Sequence, residues 1–133
     1  PAMWREFCLD YQKPIMERFR YVSYGCCENL SDRIDDVLAI PNLRIFVKSP
    51  WTDLALAAEK CAGKSCIIWR QNTARVLDAP DIATIRDELE EGLRITSGCN
   101  RAIVLQELLT THGRPERLEN WVKTAIDAAE RLS

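Results

Sequence analysis

Four short apolar runs punctuate this chain, and a segment with helical spacing follows each of them. The runs are "RYVSYG" (20–25), "LRIFVKS" (43–49), "SCIIWRQ" (65–71) and "RAIVLQEL" (101–108). Each is rich in β-branched and aromatic residues over the length of a strand, which predicts a strand. Near-continuous apolar strands alternating with helices imply a parallel sheet joined by right-handed crossovers. This pattern removes all-helical and all-strand folds and predicts an α/β domain.

The intervening segments supply the helices. Across residues 2–19, Trp4, Phe7, Cys8, Tyr11, Ile15 and Phe19 recur at helical spacing, with Pro14 placed to kink or split the helix. Ser31 is a candidate cap for a helix over 32–40, where Ile34, Val37 and Leu38 share a face and Pro41 follows. Pro50 and Thr52 open a helix carrying Leu54, Ala57, Ala58 and Cys61, and Gly63 closes it as a left-handed cap. A loop is expected at 72–79. Asp78 with Pro80 then starts a long helix striped by Ile82, Ile85, Leu89 and Leu93, ending at Gly98. Pro115 sits near the first turn of the last helix, whose stripe runs from Leu118 through Trp121, Val122, Ala125, Ile126 and Ala129 to Leu132. The expected organisation is one domain over 1–133: a leading helix (1–19), then four strand–helix units (20–133).

Two architectures fit this order. One is an open, doubly wound sheet with helices on both faces, flavodoxin-like in form. The other is a parallel (β/α)4 half of a TIM-type (β/α)8 barrel, with all helices on one side. Neither a GxGxxG turn nor a P-loop is present to identify a nucleotide.

Composition narrows the partners. A length of 133 residues suits one domain with a real core. The net charge is −2, with acids and bases intermixed, so there is no basic stripe for nucleic acid and no polybasic arm for a membrane. No apolar run approaches the roughly 20 residues of a membrane span. The opening "PAMWREFCLDYQ" lacks the charged-then-apolar pattern of a signal peptide. The six cysteines are irregularly spaced and include no CxxC pair. Cys8 and Cys61 fall on apolar helix faces, where a thiol behaves as a small hydrophobe. Free thiols and a cytoplasmic, reducing location are the expectation.

In either architecture the C-terminal ends of parallel strands form one rim, where ligands bind. The rim segments are Tyr24-Gly25-Cys26-Cys27-Glu28, Lys48-Ser49-Pro50-Trp51, Trp69-Arg70-Gln71-Asn72, and Gln106-Glu107 with Thr110. Apolar strand bodies end there in thiol, carboxylate, guanidinium, amide and indole groups. Three readings exist for the thiol pair. Cys26 ligates a soft metal such as zinc, or it is a thiolate activated by the nearby helix N-terminus, or both thiols pack as small residues under the rim. A disulfide between neighbours is disfavoured, since consecutive Cα atoms lie about 3.8 Å apart, below the bridged range. Glu28 and Glu107 are the candidate acid and base. Arg70 suits a substrate carboxylate, which it can grip with two parallel bonds. Trp51, with Trp69, suits the wall of a flat apolar site. His112, the only histidine, lies in a loop and reads as solvated.

At these motifs the sequence resembles a known family. "YGCCENLSDRIDDVLAIPNLRIFVKSPWTDLALAAEK" is similar to the C-terminal half of uroporphyrinogen decarboxylase-like proteins from anaerobic bacteria. The likeness rests on "GCCE", "PNLR" and "SPW" in order, then "WRQNTA" and "LLTTHGRPERLENWV", and spans residues 20–133. It implies the (β/α) barrel fold, with this chain supplying the last helix of the first half and then strands five to eight. It also implies an activity on a tetrapyrrole, or methyl transfer between a corrinoid protein and a thiol. In the methyltransferases of that superfamily zinc is held by a His-x-Cys pair and a distant cysteine. Here Tyr24-Gly25-Cys26 occupies the place of the pair, so Cys26 matches the thiol ligand and Tyr24 stands at the histidine. The cofactors implied are zinc or a corrinoid. The Arg- and Asp-bearing motifs of the decarboxylases belong to the first half of the barrel.

Half a barrel leaves apolar strand faces and two strand edges uncovered. Several hundred Å² of wet apolar surface forfeits on the order of 10 kcal/mol, comparable with a domain's whole stability. Self-association, a partner carrying an N-terminal half-barrel, or origin in a longer protein is therefore expected, with a corrinoid protein as a further partner. The alternative function is a non-catalytic half-barrel that binds or assembles.

Overall fold

The computed structural model describes residues 2–132; Pro1 and Ser133, the outermost positions of the expected domain, lie outside them. The chain opens with one helical segment made of α1 (Ala2–Trp4), a π-helical stretch (Arg5–Leu9) and α2 (Asp10–Met16). Pro14 neither splits nor ends this segment. The wider π-helical turn runs up to Asp10, four residues before Pro14, with the Asp10 N–H donating to the Arg5 carbonyl.

Four units follow. β1 (Val22–Gly25) leads through a 3-10 turn (Ser31–Arg33) to α3 (Ile34–Leu38). β2 (Leu43–Lys48) is followed by α4 (Leu54–Cys61), and β3 (Cys66–Asn72) by α5 (Thr73–Asp78) and α6 (Ile82–Ile95). β4 (Arg101–Gln106) precedes α7 (Pro115–Arg131). All the pairings are parallel, in the order β1-β2-β3-β4. A doubly wound sheet reverses its strand order at a switch point. This sheet does not: every crossover steps the same way, and with one handedness such steps keep the helices on one face.

Register assigns the two faces. Tyr24, Phe46, Ile67 and Arg101 align across the sheet, and Lys48, Trp69 and Ile103 align beside them. This is the helix-covered face. The Tyr24 hydroxyl donates to Gln12 of α2 at 3.0 Å, and the Trp121 indole of α7 donates to Gln71 at 2.6 Å. Trp69 lies on α6, where a Cβ at Gly92 would sit 1.9 Å from the indole ring. Phe46, Leu9, Leu30, Ile34, Ile67, Leu89 and Leu93 are the large side chains at the centre of this core. The opposite face is open. Ser23, Gly25 and Ala102 are exposed there, and Ile45, Ile68 and Val104 are only half-buried, while Val47, between Gly25 and Ile68, is buried.

Several local expectations shift. Residues 73–78 form α5 instead of loop, because the Asn72 side chain accepts the Arg75 N–H and starts a helix. Asp53, not Thr52, caps α4 by accepting from Leu56; Thr52 instead accepts the N–H of Leu30 at 3.0 Å. Ser31 does not cap α3. Its hydroxyl accepts the Asp53 N–H, which ties the β1 loop to the start of α4. Asp81 caps α6, which ends at Ile95, before Gly98. Gly63 follows α4 with a φ of 69°, the left-handed closure its sequence position predicts. The leading helical segment ends at Met16, short of the expected residue 19; it buries Leu9 and exposes Phe7, Tyr11 and Ile15, and Phe19 is exposed in the turn beyond, so most of the expected stripe faces outward. No helix among the described residues is long and apolar enough to cross a membrane.

Candidate functional site

The C-terminal ends of the strands form one mouth, and opposite edges of the sheet meet across it. The Cys27 thiol, just beyond β1, donates to the Glu107 carboxylate, just beyond β4, at 3.3 Å. Three strand spacings separate those edges, about 14 Å in a flat sheet. The segments beyond the two edge strands must therefore lean toward each other for the contact to form.

Electrostatics around the thiol follow from its neighbours. The hydrogen bond to Glu107, and then that carboxylate's negative charge, push the Cys27 thiol above its ordinary pKa; the Arg70 guanidinium pulls the other way. Cys27 is thus held as the thiol beside the carboxylate. Glu107 itself has a φ of 47°, in the left-handed region that costs a non-glycine residue roughly 1 kcal/mol. Strain of this kind gathers at functional positions. Next to it, the Gln106 side-chain oxygen is buried without a hydrogen-bond partner, while the Gln106 carbonyl accepts from the Thr73 hydroxyl.

Trp51 is 60% exposed and lines, with Asn72, Thr73, Gln106 and Glu107, a pocket of about 200 Å³. The mouth therefore gathers three of the sequence-predicted site residues, Trp51, Arg70 and Glu107, around Cys27. The other two stand apart from this group. The Glu28 carboxylate pairs with Arg33 at 3.2 Å, and its backbone carbonyl accepts from Ser49. Cys26 packs against the core beside Tyr24, and its sulfur accepts the Glu28 N–H at 3.4 Å. Of the two thiols, therefore, Cys27 meets Glu107 at the mouth and Cys26 packs on the core.

The donor set does not fit zinc. No three His, Cys, Asp or Glu side chains converge on a common point among the described residues. Tyr24, at the position of the second ligand, gives its hydroxyl to Gln12, and burial chiefly pushes its pKa up to about 12.

Lys48, at the end of β2, was not singled out by the sequence as a site residue. It is 5% exposed, and burial pulls its pKa down to about 8, against a smaller opposing effect of Asp53. Lys48 lies two residues from Phe46 and so on the same, helix-covered face, a placement that the register of β2 decides.

No family model, curated protein or solved structure matches this chain.

Proposed function

We propose that this chain is the C-terminal (β/α)4 portion of a uroporphyrinogen decarboxylase-like (β/α)8 cylinder, working at its mouth on a tetrapyrrole or on a corrinoid-borne methyl group. The observation that carries the reading is the Cys27–Glu107 contact, which joins the segments just beyond the two edge strands of a parallel sheet in the order β1-β2-β3-β4. A sheet curled like a cylinder wall brings its edge strand ends closer than a flat sheet does. Arg70 has no hydrogen bond or ion pair to its guanidinium among the described residues, so it is free to grip a propionate or acetate of a tetrapyrrole. The exposed indole of Trp51 supplies a flat wall for the macrocycle. Cys27 beside Glu107 pairs a nucleophile with a proton acceptor. No zinc-dependent step belongs to this reading.

A second reading is a non-catalytic half-barrel that pairs with another half or with a corrinoid protein. The exposed residues Met3, Phe7, Tyr11 and Ile15, four apart along the leading helical segment, favour it.

Absorbance titration with uroporphyrin and with hydroxocobalamin separates the two. The enzyme reading expects saturable binding of one of them, weakened at least tenfold by Arg70→Ala and by Trp51→Ala and unchanged by Glu28→Gln. Binding of neither, or binding indifferent to both mouth substitutions, removes the mouth as a tetrapyrrole site.

A further inference from the structure

A lysine buried without a counter-ion is costly, because its charged form has lost water and gained no partner. Lys48 is such a residue. Its ammonium has no hydrogen bond or ion pair among the described residues, and it lines a cavity of about 480 Å³ between α4 and α6. The cavity shares Arg70 and Asn72 with the mouth, but neither Cys27 nor Glu107 lines it. Its apolar wall includes Leu54, Trp69 and Ile95. We propose that Lys48 is a covalent capture site for an uncharged aldehyde or ketone that enters this cavity.

The chemistry balances with the two partners alone. The lone pair of the neutral amine attacks the carbonyl carbon, and the carbon–oxygen π pair moves to oxygen. A proton passes from nitrogen to that oxygen, giving a carbinolamine. The carbinolamine then loses one water to leave the imine, with no oxidant or reductant. What the reaction needs is a neutral amine at ordinary pH, which burial supplies by depressing the pKa of Lys48.

Charge selects the ligand class. Around Lys48 stand Asp53 at the α4 cap, Arg70 at the end of β3, Arg75 on α5, and Asp87, Glu88 and Glu91 on α6. Glu88 neutralises Arg75 at 2.6 Å, Glu91 pairs with Arg94, and the remaining charges on the cavity wall, Arg70 and Asp87, are of opposite sign. No surplus of positive charge remains for an anion, which would meet Asp87. An uncharged carbonyl compound meets no such penalty.

The test is reductive alkylation of the intact chain with propanal and cyanoborohydride, mapped by peptide mass spectrometry. At pH 7 Lys48 should be propylated roughly tenfold or more faster than Lys13, Lys60, Lys64 or Lys123, given its larger neutral fraction. Its rate should level off above pH 8, while the surface lysines continue to accelerate. In urea the advantage should vanish, and Lys48→Met should remove the fast phase from a folded chain. Labelling of Lys48 no faster than that of the surface lysines, or protection of Lys48 at every pH, overturns the proposal.

Discussion

Which of two neighbouring thiols faces a ligand is decided by a single residue's phase. β1 carries a register shift against β2 between Val22 and Ser23, so its alternation cannot be counted forward from the strand start. Cys26 matched the resemblance, yet Cys27 holds Glu107. A residue-scale prediction follows from that contact. Glu107→Gln removes the charge that raises the Cys27 pKa, and lowering that pKa puts more thiolate in solution at a given pH. Iodoacetamide should then alkylate Cys27 several-fold faster at pH 7.5, with the pH–rate midpoint moved down. An unchanged midpoint would show that the carboxylate does not control this thiol. Cys61 offers an internal control, since burial pushes it up to about 11 and should keep it unreactive in both proteins.

At the scale of elements, caps and close approaches explain both what was legible and what was not. The helix starts were visible as polar residues before apolar stripes, but several were offset, because neighbouring loops compete for the same hydroxyls. Thr52 reaches back to Leu30 and Ser31 forward to Asp53, which leaves Asp53 to cap α4. α5 was hidden because its six residues are too few to show a helical period, and its start depends on one side chain, that of Asn72. In α6 the stripe was clear, but Gly92 carried no hint that an indole lies on it. By helix propensity alone, Gly92→Ala should stabilise the helix by about 1 kcal/mol. The 1.9 Å approach to Trp69 reverses the sign. We expect a net loss of about 2 kcal/mol by urea denaturation, typical of overpacking, whereas Gly98→Ala, with nothing near its Cβ, should be close to neutral. A stabilised Gly92→Ala would mean that the indole is free to move aside.

On the scale of the whole molecule, unpartnered surface is the dominant feature. The open sheet face, the outward stripe of the leading helical segment and the half-exposed Val122 and Ile126 of α7 leave apolar surface uncovered. Apolar area left wet costs a domain stability, and a second copy of the chain covering it recovers that loss. Sedimentation velocity on the isolated chain should therefore show dimers or larger species at micromolar concentration. Phe7→Lys with Tyr11→Lys should shift it toward monomer without loss of helical circular dichroism. A well-behaved monomer before substitution counts against the half-cylinder and returns the fold to a free-standing singly wound domain.

The residues by themselves determined the alternation of strands and helices, the parallel pairing it forces, and the collection of polar groups at the strand ends. Those properties come from periodicity and turn chemistry within a dozen residues, which a chain expresses wherever it is placed. The tertiary structure alone decided the order of the strands, the single covered face, the choice of Cys27 over Cys26 and the burial of Lys48. Each of these depends on which distant segments pair and in what register, and a shift of one residue in a strand turns every side chain beyond it to the other face.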